Sequence, residues 1–127
     1  MKESLSKAEW LFMETLWEKN PLFLSEIMER MSQKVEWKKS TFSTYLKILT
    51  DEGYIGYQTI RNSRSYYPLV AREECAANES RSFLSRITDN TAKAFITTMI
   101  KEGSLSQDDR NDLKKLIEEL EEAERNS

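Results

Sequence analysis

The sequence predicts a mainly α fold in which three helices and a two-stranded hairpin are followed by a second, wholly helical region. Three observations carry this reading. Apolar residues recur at three- and four-residue spacing before Gly53 and again after Arg72, the period of a helix with one buried face. Between Ile55 and Tyr67 the residues are β-formers instead, interrupted by a polar stretch. Composition also shifts near residue 70: eleven of the thirteen aromatics precede it, and no proline follows Pro68. A boundary near residue 70 divides the chain into regions 1–70 and 71–127, within what 127 residues can support as one ordinary domain or two small ones.

Each element has a local reason. Ser6 and Glu9 stand at capping-box spacing and open a helix with Trp10, Met13, Leu16 and Trp17 on its apolar side. Asn20-Pro21 ends it, because a residue before proline avoids helical geometry. A second helix runs from Leu24 to about Lys34, with Leu24, Ile27, Met28 and Met31 on one face. A short link carries Trp37, and Ser40 or a neighbour begins a third helix whose stripe is Phe42, Tyr45, Leu46 and Leu49. Gly53 stops it as a glycine just past a helix end does. Ile55–Ile60 and Ser65–Tyr67 read as two strands joined by the tip Arg61-Asn62-Ser63-Arg64, with Pro68 tolerated at the end of an edge strand. Beyond it, helices are expected from Arg72 to about Ile87, from Thr91 to about Lys101, and from a Ser106 cap onward. The acidic end Glu118-Glu119-Leu120-Glu121-Glu122 is expected to fray.

Composition excludes several classes. There is no histidine, which removes histidine acid–base chemistry, Ser-His and Cys-His nucleophiles and most zinc sites. One cysteine, Cys75, forbids an internal disulfide, and three glycines leave no glycine-rich phosphate loop. No catalytic set, cofactor site or metal site is expected. No apolar run approaches the ~18 residues of a spanning helix. The opening Met1-Lys2-Glu3-Ser4 lacks a signal-peptide stretch, so a cytoplasmic protein without membrane insertion is expected.

The net charge of −3 conceals an asymmetry. Residues 1–70 carry 10 basic and 9 acidic side chains, and residues 71–127 carry 9 and 13. Within 30–66 the balance is 7 basic to 3 acidic. Nucleic-acid binders need be basic only on the docking face, although ordinary surface variation produces such windows too.

Three helices followed by a hairpin describe the winged form of the helix-turn-helix. With Phe42, Tyr45, Leu46 and Leu49 inside, the third helix turns Ser40, Ser43, Thr44 and Lys47 outward. These hydrogen-bonding groups and one cation suit a DNA major groove about 12 Å wide. Lys38 and Lys39 stand at the helix start, where backbone amides also meet phosphate. Arg61 and Arg64 at the hairpin tip can reach phosphates or the minor groove. Taken singly, each of these is also what a solvated surface looks like. Trp10, Trp17 and Trp37 are expected to pack rather than to stack on bases. In the second region Phe83, Leu84 and Ile87, then Phe95, Ile96 and Met99, then Leu113, Leu116, Ile117 and Leu120 form apolar faces. Helices this short bury little alone, so these faces are expected to pair with a second copy of the chain.

Ser6-Lys7-Ala8-Glu9-Trp10, Met13, Leu16-Trp17, Glu36-Trp37, Thr41 through Leu49, Tyr54-Ile55, Lys93-Ala94-Phe95 and Leu113 to Leu120 resemble the penicillinase-repressor family, the BlaI/MecI/CopY-type bacterial regulators. The resemblance covers nearly the whole chain. It implies a homodimeric transcriptional repressor whose N-terminal winged helices each bind half of a palindromic double-stranded DNA operator, while residues 71–127 interlock. For antibiotic-responsive members it further implies a membrane sensor protease as partner and a regulatory cut at an Asn-Phe bond. The matching pair here is Thr98-Met99, so the bond differs and a cut would fall at or near it. The family's reading helix often carries arginines where this chain has Ser43 and Ile48. Copper-responsive members have a C-terminal run of cysteines, and no cysteine follows Cys75.

Two rivals share the fold: a winged-helix protein-interaction adaptor that does not read DNA, and a repressor with a small-molecule pocket between its regions. Smaller signals have plainer readings. Asn78-Glu79-Ser80 matches a glycosylation triplet without the secretion it needs. Glu73 and Glu74 beside Cys75 disfavour a reactive thiolate. Asp108, Asp109 and Asp112 fit a helix start better than a cation site.

Overall fold

The structure, a computed structural model, describes residues 4–126. Met1, Lys2 and Glu3, which entered the reading of the N-terminal end, and Ser127 lie outside the described residues. The elements run α1 (Lys7–Glu18), β1 (Leu22–Phe23), α2 (Leu24–Met31), α3 (Lys39–Asp51), β2 (Ile55–Ile60), β3 (Ser63–Pro68), α4 (Arg72–Leu84), α5 (Asp89–Lys101) and α6 (Gln107–Arg125). They fall into two compact units, residues 1–85 and 86–127.

The first unit is a winged helix-turn-helix with α4 added. Ser6 caps α1 reciprocally: Glu9 N–H donates to Ser6 Oγ at 3.2 Å and Ser6 N–H to Glu9 Oε1 at 2.9 Å. Asn20 Nδ2 donates to the Leu16 carbonyl at 2.9 Å, satisfying one of the acceptors a helix end leaves open. At the close of α3, Gly53 takes φ +84°, which lets Tyr54 N–H donate to Leu49 O and Gly53 N–H to Thr50 O. This is the paired carbonyl closure that a left-handed residue permits.

The hairpin is antiparallel, with Ile55 opposite Pro68 and Ile60 opposite Ser63. The sheet has a third strand that sequence periodicity missed. β1 pairs with β3, Leu22 opposite Tyr66 and Phe23 opposite Ser65. Two residues are too few to show alternation. β3 is therefore the central strand rather than an edge, in the order β1-β3-β2. Pro68 is still tolerated, because β1 pairs only with Ser65 and Tyr66 and leaves Pro68 unpartnered on that side.

The core gathers one stripe from each element: Phe12, Met13 and Leu16 from α1, Leu22 from β1, Ile27 and Met31 from α2, Phe42, Leu46 and Leu49 from α3, and Tyr54, Ile55 and Tyr66 from the hairpin region. Burying each such side chain contributes about 1.5–3 kcal/mol. All three tryptophans are half-buried against this core. Trp37 stacks between Phe12 and Tyr45, with ring centroids 5.8 and 5.1 Å away. Trp10 meets Trp17 edge-on at 5.9 Å.

The boundary read near residue 70 falls inside the first unit, because α4 is tied to that core. Cys75 is buried in it. Leu5 N–H donates to Glu79 Oε2 at 3.4 Å, and Trp17 Nε1 donates to the Val70 carbonyl at 2.9 Å. The Arg72 guanidinium lies 5.4 Å from the Trp17 ring centre. Helix α4 ends at Leu84, so Ile87 lies in the connection to α5.

The second unit consists of α5 and α6, capped by Thr88 and Ser106 through hydrogen bonds from Thr91 N–H and Asp109 N–H. Neither helix contains a buried residue. The acidic end of α6 stays helical to Arg125 rather than fraying.

Candidate nucleic-acid interface

Helix α3 presents the two faces its spacing requires. Phe42, Leu46 and Leu49 are buried and Tyr45 is half-buried, while Ser40, Ser43, Thr44, Lys47 and Ile48 are exposed. Thr44 Oγ1 donates to the Ser40 carbonyl at 2.9 Å, leaving its oxygen free to accept. Lys38 is the N-cap of α3. Its side chain has only donors and makes no capping hydrogen bond, while its backbone carbonyl accepts from Thr41 N–H at 3.0 Å.

The hairpin departs from the sequence reading at its tip. The loop is only two residues, Arg61 and Asn62, both with positive φ (51° and 68°). That is the mirror-image turn whose twist matches paired strands. Arg64 therefore sits on β3, opposite Thr59, and not at the tip. Its guanidinium carbon lies 4.2 Å from the centre of the Tyr57 ring, a cation–π contact that fixes where the charge points.

This placement makes a groove between α3 and the hairpin. Ser43, Lys47, Thr50 and Asp51 line one wall and Tyr57, Arg64 and Tyr66 the other, around about 440 Å³. Round the corner, Arg64 also borders a hollow of about 300 Å³ with Ser25, Lys39 and Ser63. Arg61 borders a third, with Phe23, Ser25, Ile60 and Ser63. Lys39, Ser43, Lys47 and Arg64 thus surround one corner of the unit. Lys38, Ser40 and Thr44 are exposed on the first half of α3 and its cap but line none of these three hollows.

Lys47 has an ionic partner. Its Nζ lies 2.9 Å from Asp51 Oδ2, with side chains 78% and 63% exposed. A pair this solvated contributes less than about 1 kcal/mol and opens readily. Asp51 and Tyr57 belong to the site and were not singled out in the sequence. The four-residue spacing of Lys47 and Asp51 was a legible signal. The contact of Tyr57 with Arg64 was not, since it depends on hairpin register.

Among the buried titratable groups, the Tyr54 hydroxyl is pushed above its ordinary range, chiefly by burial and then by Cys75 and nearby carboxylates. Burial, then Glu74 and Glu79, push the Cys75 thiol up as well, which keeps it protonated near neutral pH. No helix among the described residues is long and apolar enough to cross a membrane.

The apolar residues of the second region divide between the units. Phe83 and Leu84 end α4 in the first unit, half-buried and exposed respectively. In the second, Ile96, Ile100, Leu113 and Ile117 line an open apolar hollow of about 660 Å³, flanked by Arg110, Lys114, Glu118 and Glu121. Phe95 and Met99 line another with Thr91, Ala94 and Thr98. Leu116 and Leu120 are about 60% exposed. The Thr98–Met99 bond lies in the last turn of α5, where Thr98 Oγ1 donates to Ala94 O and Met99 O accepts from Ser104 N–H.

A winged helix with a cationic groove beside its third helix defines a class of DNA-binding regulators, and comparison with known proteins narrows it. The sequence model of the family described as penicillinase repressor matches residues 5–119, and the chain belongs to that family of transcriptional repressors, which are not enzymes. It is 24% identical over 113 residues to the methicillin resistance regulatory protein MecI of Staphylococcus aureus strain Mu50, covering 89% of this chain and 92% of that one. Against the Staphylococcus epidermidis protein of the same name, identity is 23% over the same length. Among solved structures, Bacillus licheniformis BlaI, in monomeric form in complex with the blaP half-operator, is 21% identical. It has a TM-score of 0.49 over 56% of this chain and 87% of that one.

Proposed function

We propose that this repressor acts as a homodimer on a two-fold symmetric DNA operator, with one winged helix on each half-site. The observation that carries the reading is the convergence of Lys39, Lys47 and Arg64 around the outward face of α3. A helix with its side chains is 10–12 Å across, the width of the major groove. In that groove Ser40, Ser43 and Thr44 meet base edges, and Lys38, Lys39, Lys47 and Arg64 meet phosphates. Arg61 carries the hairpin tip to the adjoining backbone or minor groove. The exposed faces of α5 and α6, with Phe83, Leu84 and Ile87, hold the two copies together. Such a protein works where the DNA is, in the cytoplasm. Relief of repression by a membrane sensor protease cutting near Thr98–Met99 would require the last turn of α5 to open first, because proteolysis needs extended backbone.

The test is selection of bound duplexes from a random pool, followed by titration of the winner at two salt concentrations. Enrichment of a two-fold site, with affinity falling as salt rises, is expected. Replacing Lys47 and Arg64 together by alanine should weaken binding and flatten the salt slope by about one per lost phosphate contact. No enrichment would instead favour the adaptor that does not read DNA, and unchanged affinity and slope in the double variant would overturn the placement of Lys47 and Arg64 on phosphates.

A further inference from the structure

We propose that Asp51 sets the specificity of the DNA-binding groove by holding Lys47 away from phosphates that any sequence can offer; this rests on the DNA-binding reading above. Asp51 is placed where a carboxylate is doubly disfavoured. It is the last residue of α3, whose final turn carries no basic residue, and the carbonyl end of a helix repels negative charge. It also lines the groove shared by Ser43, Lys47 and Arg64, where a DNA backbone would bring further negative charge. Its pairing with Lys47 does little for the helix in return. Both side chains are largely exposed, and lysine four residues before the acid is the weaker order for such pairs.

Those features make sense as a filter. A phosphate reaching for Lys47 must displace the Asp51 carboxylate, 2.9 Å from Nζ, and then leave it unpaired facing the backbone. Every duplex offers phosphates, so the penalty falls on all sequences. It is offset only where a base edge presents an amino group, cytosine N4 above all, that the carboxylate can accept from. Asp51 therefore lowers binding to arbitrary DNA more than binding to the operator.

The experiment compares the wild-type chain, Asp51→Asn, Lys47→Ala and the double variant on two duplexes, the site recovered by selection and a scrambled version of it. Asp51→Asn should raise affinity for the scrambled duplex about three- to ten-fold, the gain from one freed phosphate contact at moderate salt. It should steepen the salt slope by about one, and raise operator affinity by less, so that the ratio narrows. With Lys47→Ala already present, Asp51→Asn should raise scrambled-duplex affinity by clearly less than it does in the wild-type chain, because only the direct repulsion between carboxylate and backbone is then relieved and no lysine is freed. Unchanged scrambled affinity, an equal gain on both duplexes, or a full gain without Lys47 would overturn the proposal while leaving the DNA-binding reading intact. If selection returns no site and the wild-type chain binds neither duplex, that reading fails and this proposal with it.

Discussion

Arg61 occupies a left-handed conformation with φ 51° that costs a non-glycine residue free energy, yet a two-residue hairpin loop requires it. Asn62 tolerates the same region through its short polar side chain, whereas an arginine gains nothing locally from it. Arg61→Gly should therefore raise stability by about 0.5–1 kcal/mol, read as a higher melting temperature. On the proposed function it should at the same time weaken DNA binding through the lost charge. A rise in stability with unchanged affinity would remove Arg61 from the interface. Tyr54 offers a second test. Its hydroxyl is raised by burial, so the folded state holds the proton more tightly than the unfolded chain. The stability involved is complete below the ordinary tyrosine range near 10 and is lost as pH rises through the higher folded value. Alkaline titration of the melting temperature should show this loss in the wild-type chain, and Tyr54→Phe should reduce it. Much of the residue scale was legible: the outward set Ser40, Ser43, Thr44 and Lys47 followed from the spacing of Phe42, Leu46 and Leu49. The position of Arg64 was not, because moving a hairpin tip by two residues changes no periodicity.

Elements are held by their ends as much as by their faces. Gly53 closes α3 and directs the chain into β2 at φ +84°. There is space for a methyl group at that position, so the cost of Gly53→Ala comes from the backbone rather than from a clash. A loss of about 1 kcal/mol or more is expected on chemical denaturation, with the midpoint falling and its steepness unchanged. Glycine and proline made the helix ends readable, as Gly53 and Asn20-Pro21 show. β1 escaped notice because strand pairing is a long-range choice. Nothing local in Leu22-Phe23 tells that Tyr66 and Ser65 will stand opposite. For the same reason α4 was assigned to the second region: its burial depends on Cys75 meeting a core built from residues far earlier in the chain.

At the scale of the molecule, the two units differ in self-sufficiency. Residues 1–85 have a core drawn from every element of the winged helix, whereas α5 and α6 bury no residue. A helical pair of that size rarely persists alone in water. On the proposed homodimer, Ile117→Glu, which puts a charge among Ile96, Ile100 and Leu113, should shift the chain from dimer to monomer in sedimentation and lower operator affinity. Binding of the wild-type chain should in turn depend on its concentration. An unaltered sedimentation coefficient would place the pairing surface elsewhere.

The attachment of α4 to the first unit has a consequence for switching. A break beyond Ser85, including one near Thr98–Met99, leaves the winged helix with its packing, its groove and its hairpin complete. On the proposed homodimer, what such a break removes is effective concentration: two tethered half-site readers become two independent ones. Linking binding modules raises overall avidity by roughly 10²–10⁴-fold without any new contact, and severing them forfeits the same factor. A repressor built this way can be turned off without damage to the surface that recognises its operator.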